Sequence, residues 1–129
     1  MVKTHALVDA ELCGEPVELS DGYARVKLKL TDRMKVDASG LVHGGFVFGA
    51  ADLAAMLAVN HPNVVLAAAD VRFLKPCSVG ETVEAVAKVE REDGKKRTVA
   101  VEVRRDGEKV FEGSMLCIVP ERHVLADRR

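Results

Sequence analysis

The chain has 129 residues, enough for one hydrophobic core and too few for two. Hydrophobic residues make up 48% and charged residues 30%, which excludes a disordered segment. A net charge of -1, with 4% aromatics and no Trp, excludes the basic, base-stacking footprint of a nucleic-acid binder.

Residues 1–12 fit a short helix and an edge strand equally well, and they lack the apolar region of a secretory signal. After the turn signal Asp21-Gly22, the run from Tyr23 to Leu30 alternates strictly. Ala24, Val26, Leu28 and Leu30 point one way and Arg25, Lys27 and Lys29 the other, as in a half-buried strand. Residues 31–42 form a polar connection containing Gly40, and His43-Gly44-Gly45 opens a helix that Pro62 must end. Strands are expected at Val64–Leu74, Thr82–Glu90, Thr98–Arg104 and Lys109–Val119, with hairpin tips at Gly94-Lys95 and Asp106-Gly107. The tail 120–129 is polar, and the whole of 1–129 reads as one domain with its core at about 15–119.

The helix is the unusual element. From Gly44 to Val59 it is apolar or glycine at every position except Asp52. A helix apolar on all sides has to be wrapped completely, and antiparallel strands are the only other material here. The expected class is therefore α+β, with a sheet curled around one long central helix. A carboxylate inside such a helix needs a partner or a shifted pKa, and groups in that position are disproportionately catalytic. The structural alternative for Asp52 is a carboxylate paired with a base or a backbone amide. The apolar run is too short, and too interrupted by Asp52, to span a bilayer.

Cys13, Cys77 and Cys117 are far apart and odd in number, so they form neither a disulfide framework nor a CxxC site. They read as reduced thiols of a cytoplasmic protein. His5, His61 and His123 share no ligand spacing, so no metal is expected.

The block Gly40-Leu41-Val42-His43-Gly44-Gly45, with Asp52 eight positions after Gly44, followed by Phe73-Leu74-Lys75-Pro76 and Gly80-Glu81, resembles the hotdog-fold acyl-CoA thioesterases. Within them it is most similar to the group of the phenylacetate-pathway and the HGG-containing 4-hydroxybenzoyl-CoA thioesterases. The resemblance covers about residues 15–119. It implies the hotdog fold, an acyl-CoA substrate, and no cofactor beyond the coenzyme A of that substrate. It also implies a two-fold dimer, doubled into a tetramer, in which the first strand pairs with its mate. Eight helical residues rise about 12 Å, so one carbonyl cannot touch both Gly44 and Asp52 of one chain. Antiparallel central helices would bring the Gly44 of one subunit to the Asp52 of the other.

In this reading the Gly44 and Gly45 amides hold the thioester oxygen, and Asp52 is general base or nucleophile. His43 orients the loop. The family's frequent Asn seven residues before the first motif glycine is Asp37 here. Its frequent Ser or Thr near the acid falls on Leu66 or Ala67. Lys75, the run Lys95-Lys96-Arg97 and the pair Arg104-Arg105 are candidate contacts for coenzyme A phosphates, the last two groups otherwise reading as solvated hairpin residues. The alanines of the helix and of Ala67–Ala69 leave room for an apolar acyl group. Residues Ala69–Phe73 and Gly80-Glu81 also resemble the malonyl-CoA-binding effector domain of a lipid-synthesis repressor. That resemblance makes a non-catalytic acyl-CoA-binding module the alternative. In that group the domain lacks the helix acid and follows a DNA-binding segment, for which this chain is expected to have no room. A dehydratase of the same fold would need a catalytic His paired with a separate acid, and no such pair is recognisable.

Overall fold

The computed structural model describes residues 1–126. A short helix α1 (Ala10–Cys13) leads into β1 (Glu15–Ser20) and β2 (Tyr23–Lys29). A 3-10 turn (Asp32–Met34) then precedes the long helix α2 (Gly44–Val59). Four strands follow: β3 (Val65–Phe73), β4 (Thr82–Asp93), β5 (Lys96–Arg105) and β6 (Glu108–Ile118). All six strands join one antiparallel sheet in the order β1-β2-β4-β5-β6-β3.

The sheet bends around α2, and alternation along each strand supplies the inner surface. Ala24, Val26 and Leu28 of β2 are buried, as are Val83, Ala85 and Ala87 of β4, Val99, Val101 and Val103 of β5, and Phe111, Met115 and Cys117 of β6. They meet Ala50, Ala51 and the run Leu53–Ala58 of α2, which is buried without a break. A helix with no polar stripe has no face to give to water, so the sheet encloses it. Eight buried helix and strand alanines let backbones approach closely while Phe111, Met56 and Leu57 fill the wider gaps. α2 ends at Asn60, whose left-handed backbone (φ 51°) donates its N–H to Met56 O at 2.8 Å.

Two expectations need correction. β1 has no counterpart in the strands read from sequence, because its residues are mostly exposed on both faces and alternation is absent. Pro16 and a bulge between Pro16 and Glu18 mark it as an edge strand. Consequently the first strand recognised in the sequence, β2, is hydrogen-bonded on both sides, to β1 and to β4. It has no free edge with which to meet a mate. The open edges are β1 and β3. Of the tail expected beyond 120, residues 121–126 are exposed, and 127–129 lie outside the described residues. Among the described residues no helix is long and apolar enough to cross a membrane.

Gly113 of β6 lies opposite Val71 of β3 on one side and Val101 of β5 on the other. A Cβ there would strike Asp70 O and come within 2.7 Å of Val71 Cα, both backbone atoms that cannot swing aside. Gly113→Ala is therefore expected to cost about 1–3 kcal/mol by forcing β3 away from β6, the usual cost of overpacking. Chemical denaturation checks this, with amide exchange at residues 65–73 rising more than in β4.

Candidate active site

The helix start is built from a turn, a histidine and two glycines. The approach 35–42 is held by Val36 N–H to Leu41 O (2.8 Å), Val42 N–H to Cys77 O (2.9 Å) and His43 N–H to Met34 O (2.9 Å). His43 is the N-cap in extended conformation and offers no side-chain bond to the helix. Phe46 N–H donates to His43 O at 3.1 Å, whereas among the described residues the N–H groups of Gly44 and Gly45 donate to no acceptor. Two unbonded amides at the positive end of a sixteen-residue helix are ready-made donors for a developing negative oxygen.

Each motif residue has a steric reason to be where it is. The His43 ring folds back over Gly45, where a Cβ would lie 2.8 Å from its Nε2, and meets Phe46 edge-on at 6.0 Å. Phe73 lies over Gly44, where a Cβ would approach its ring to 3.1 Å. Phe73 in turn stands edge-on to Phe111 at 5.1 Å. Gly44 shares a cavity of about 360 Å³ with Val47, Phe73, Lys75, Pro76 and Cys77. Arg105 fixes the far wall, donating to Pro76 O at 2.6 Å and to Glu108 at 2.6 Å, while Lys75 reaches Glu108 at 2.8 Å.

Two turns further along the same helix, Asp52 is half-buried. Its Oδ1 is closed to water and is the one such side-chain oxygen or nitrogen, among the described residues, with no hydrogen-bond partner. Burial pushes the carboxyl above its ordinary range, and only the charge of His5 works against that rise. Among the described residues Asp52 makes neither the salt bridge nor the backbone bond of the structural alternative. Cys117, pushed up to about 12, and Cys13, also raised, both feel the carboxylate, burial being the main cause in each. Cys77 is raised by burial as well, so all three thiols stay protonated at neutral pH.

The other candidates divide. Leu66 of β3 is half-buried and pairs with Cys117, which places it on the strand beside the acid's surroundings. Ala67 falls at the bulge between Leu66 and Ala68 and is exposed on the free edge. Asp37 is exposed and committed to its own turn, accepting Ser39 N–H at 2.9 Å and the Ser39 hydroxyl at 2.5 Å. Those bonds hold its carboxyl below the usual range, and it does not line the Gly44 cavity. Among the hairpin cations, Arg97 bonds Gly94 O and Lys96 O, and Arg104 bonds Gly107 O, so these guanidinium groups brace turns. Two residues of the site were not singled out from the sequence. Phe73 appeared in the motif block, and its position before Lys75-Pro76 is the signal that could have marked it as a cover for Gly44. His5, far away in the chain, contributes a charge that opposes the rise of the Asp52 carboxyl, and nothing local announces it.

The family profile of the thioesterase superfamily matches residues 39–112. The chain is 52% identical over 117 residues to a protein of Aquifex aeolicus named methylthioribose-1-phosphate isomerase; the match takes in 91% of this chain but only 26% of that much longer protein. It is 30% identical over 102 residues to the acyl-coenzyme A thioesterase PaaI of Escherichia coli, covering 74% of this chain and 71% of that one. Among solved structures, PH1136 of Pyrococcus horikoshii superposes with a TM-score of 0.96 at 53% identity, covering 97% of this chain and 96% of that one. With the profile spanning more than half of the chain, including the whole of α2 and β3 to β5, the chain belongs to the thioesterase superfamily.

Proposed function

We propose that this protein hydrolyses acyl-CoA thioesters to the free carboxylic acid and coenzyme A. The observation that carries the reading is a single helix with two unbonded amides at its start and a buried, unpartnered carboxylate oxygen two turns on. The amides of Gly44 and Gly45 would receive the carbonyl oxygen and strengthen their hold as it becomes an oxyanion. Asp52 would either take a proton from the attacking water or attack the carbonyl itself to give a mixed anhydride that water then cleaves. Both routes expel the coenzyme A thiolate and require the ionised carboxylate. His43 packs on Gly45 and keeps the amides open. The cavity beside Gly44 and Lys75 would take the pantetheine end of the substrate.

The reading requires two chains, because about 12 Å of helix separates Gly44 from Asp52. The free edge of β3 supports that assembly. It is a nine-residue strand with neither Pro nor Lys, and Ala67, Ala68, Ala69 and Asp70 are exposed in succession. An uncovered edge of this length, carrying only Asp70 and Arg72 as charges, is a template for another strand. A second copy laying its own β3 there would bring its α2 alongside in the opposite direction, uniting one chain's Gly44 with the other's Asp52. Light scattering of the purified protein is expected to give a dimer or a multiple of one; a monomer that turns over acyl-CoA would refute the composite site.

Asp52→Ala and Asp52→Asn are expected to lower kcat by about 10²–10⁴-fold on a panel of short, medium, long and aryl acyl-CoAs, with the oligomer intact. Cleavage by Asp52→Ala at the parent's rate would refute the assignment. If the parent binds acyl-CoA tightly in calorimetry and turns none over, the non-catalytic binding module is the correct reading.

The raised carboxyl of Asp52 makes two pH predictions. Activity should climb through an acid limb that lies above the usual carboxylate range, measured as kcat/KM against pH. For stability the sign is opposite to that of a salt-bridged acid. The folded state holds this proton more tightly than the unfolded chain, so Asp52 destabilises increasingly as pH rises from the ordinary carboxylate value to the raised one. Asp52→Asn should therefore melt at a higher temperature than the parent at neutral pH, while the difference shrinks in acid.

A further inference from the structure

α2 carries one glycine that nothing within the chain calls for. Glycine is the weakest helix former after proline, because it gives up the most backbone freedom on folding. Gly44 and Gly45 are dictated by their neighbours, since a Cβ would meet the Phe73 ring at 3.1 Å and the His43 ring at 2.8 Å. Gly49 has no such neighbour. It sits inside the sixteen-residue helix without a positive φ, and a Cβ built on it would meet nothing within 4 Å beyond the adjoining helix. The residue is half-buried, next to the buried Ala50 and Ala51, so its open side is a notch in the helix surface.

The notch adjoins Asp52. On a helix surface the neighbours of residue 52 are 48, 49, 55 and 56. Ala55 and Met56 are buried, and Phe48 is half-buried with its ring edge-on to Phe111 at 6.2 Å. Of the four, Gly49 alone leaves room. The Cα–Cβ bonds of a helix also tilt toward its start, so Asp52 projects toward the turn of Phe48 and Gly49, about 4.5 Å of rise away, and not toward Met56. A carboxylate with one oxygen sealed from water and unpartnered is thus open, along its own helix, across Gly49.

We infer that Gly49 is a specificity-determining residue, its missing side chain leaving room for an acyl group that is broad at the carbon next to the carbonyl. The inference rests on Asp52 acting on that carbonyl, and it adds which acyl groups the acid can reach. A carbonyl carbon within reach of the carboxylate holds its α-carbon one bond away, beside the turn that contains Gly49. A branch at that carbon needs the volume a larger side chain would fill, whereas a straight chain can turn away. Phe48 offers the branch an apolar wall, so a hydrocarbon branch fits it. The relation holds whichever chain supplies the amides, because Gly49 and Asp52 belong to one helix. The partner's α2 is the competing occupant of the notch. A helix seated directly on Gly49 would close the open approach to Asp52, which favours the substrate.

The test compares isobutyryl-CoA with butyryl-CoA, which differ in branching and not in carbon count. In Gly49→Ala the ratio of kcat/KM for isobutyryl-CoA to that for butyryl-CoA should fall about tenfold, and further in Gly49→Val, as expected for each carbon added to an apolar pocket. The melting temperature of Gly49→Ala should rise, because alanine favours the helix and its methyl meets open space. An unchanged ratio in both variants would overturn the inference, as would a parent that cleaves butyryl-CoA and rejects isobutyryl-CoA. Dissociation of either variant in light scattering would assign the glycine to the helix crossing and overturn it too. A parent that hydrolyses no acyl-CoA would sink the thioesterase reading, and the role of Gly49 is then read from binding alone. Calorimetry with the isobutyl and n-butyl thioethers of coenzyme A serves for that, since neither can be hydrolysed. A selective loss of affinity for the branched thioether in Gly49→Ala supports the inference, and an equal effect on both overturns it.

Discussion

An apolar helix with no polar stripe cannot lie on a surface, and that constraint governs everything else in this molecule. The run Leu53–Ala58 is buried without interruption, and each of β2, β4, β5 and β6 contributes alternate side chains to cover it. The sheet has to bend to do so, and β6 carries Gly113 where the β3 backbone comes too close for a side chain. The energetic return is ordinary hydrophobic burial, spread over some two dozen side chains of modest size. Against that background one oxygen of Asp52 stands as a deliberate expense, kept dry and without a hydrogen bond.

A binding function could be served by amides alone; a dry carboxylate adds the means to move a proton or form an anhydride. The two ends of the site are nonetheless fixed by quite different forces. Gly44 and Gly45 are defined sterically, by Phe73 on one side and the His43 ring on the other, so that no side chain can cover their N–H groups. Asp52 is defined electrostatically, by burial and by the distant charge of His5. The loop that walls the first end is stiffened by Arg105, which ties Pro76 to Glu108 across to the start of β6. These are separable devices, and substitutions at one need not disturb the other.

Much of this was readable in advance because it depends on local pattern. The limits of α2 follow from His43-Gly44-Gly45 and Pro62, and the inner faces of β2, β4 and β5 follow from strict alternation. The hairpin tip at Asp106-Gly107 has both residues at positive φ, as its chemistry requires. What escaped was non-local. β1 shows no alternation because both its faces meet solvent, so β2 passed for an edge when it is interior. His5 carried no motif, and its charge bears on Asp52 only through the fold. The Gly44-to-Asp52 spacing was legible as a covalent distance along a helix, whereas the partner strand that would resolve it depends on an edge, β3, whose exposure no periodicity reveals.

The state of the thiols has a practical corollary. Cys117 is sealed in the core and pushed up to about 12, Cys77 is buried, and Cys13 is half-covered beside two carboxylates that discourage its ionisation. None offers an alkylating reagent a thiolate at neutral pH. A cysteine introduced on an exposed strand would therefore be modified ahead of all three, so spin labels or fluorophores could be attached at chosen points without first stripping the native sulfur from the protein.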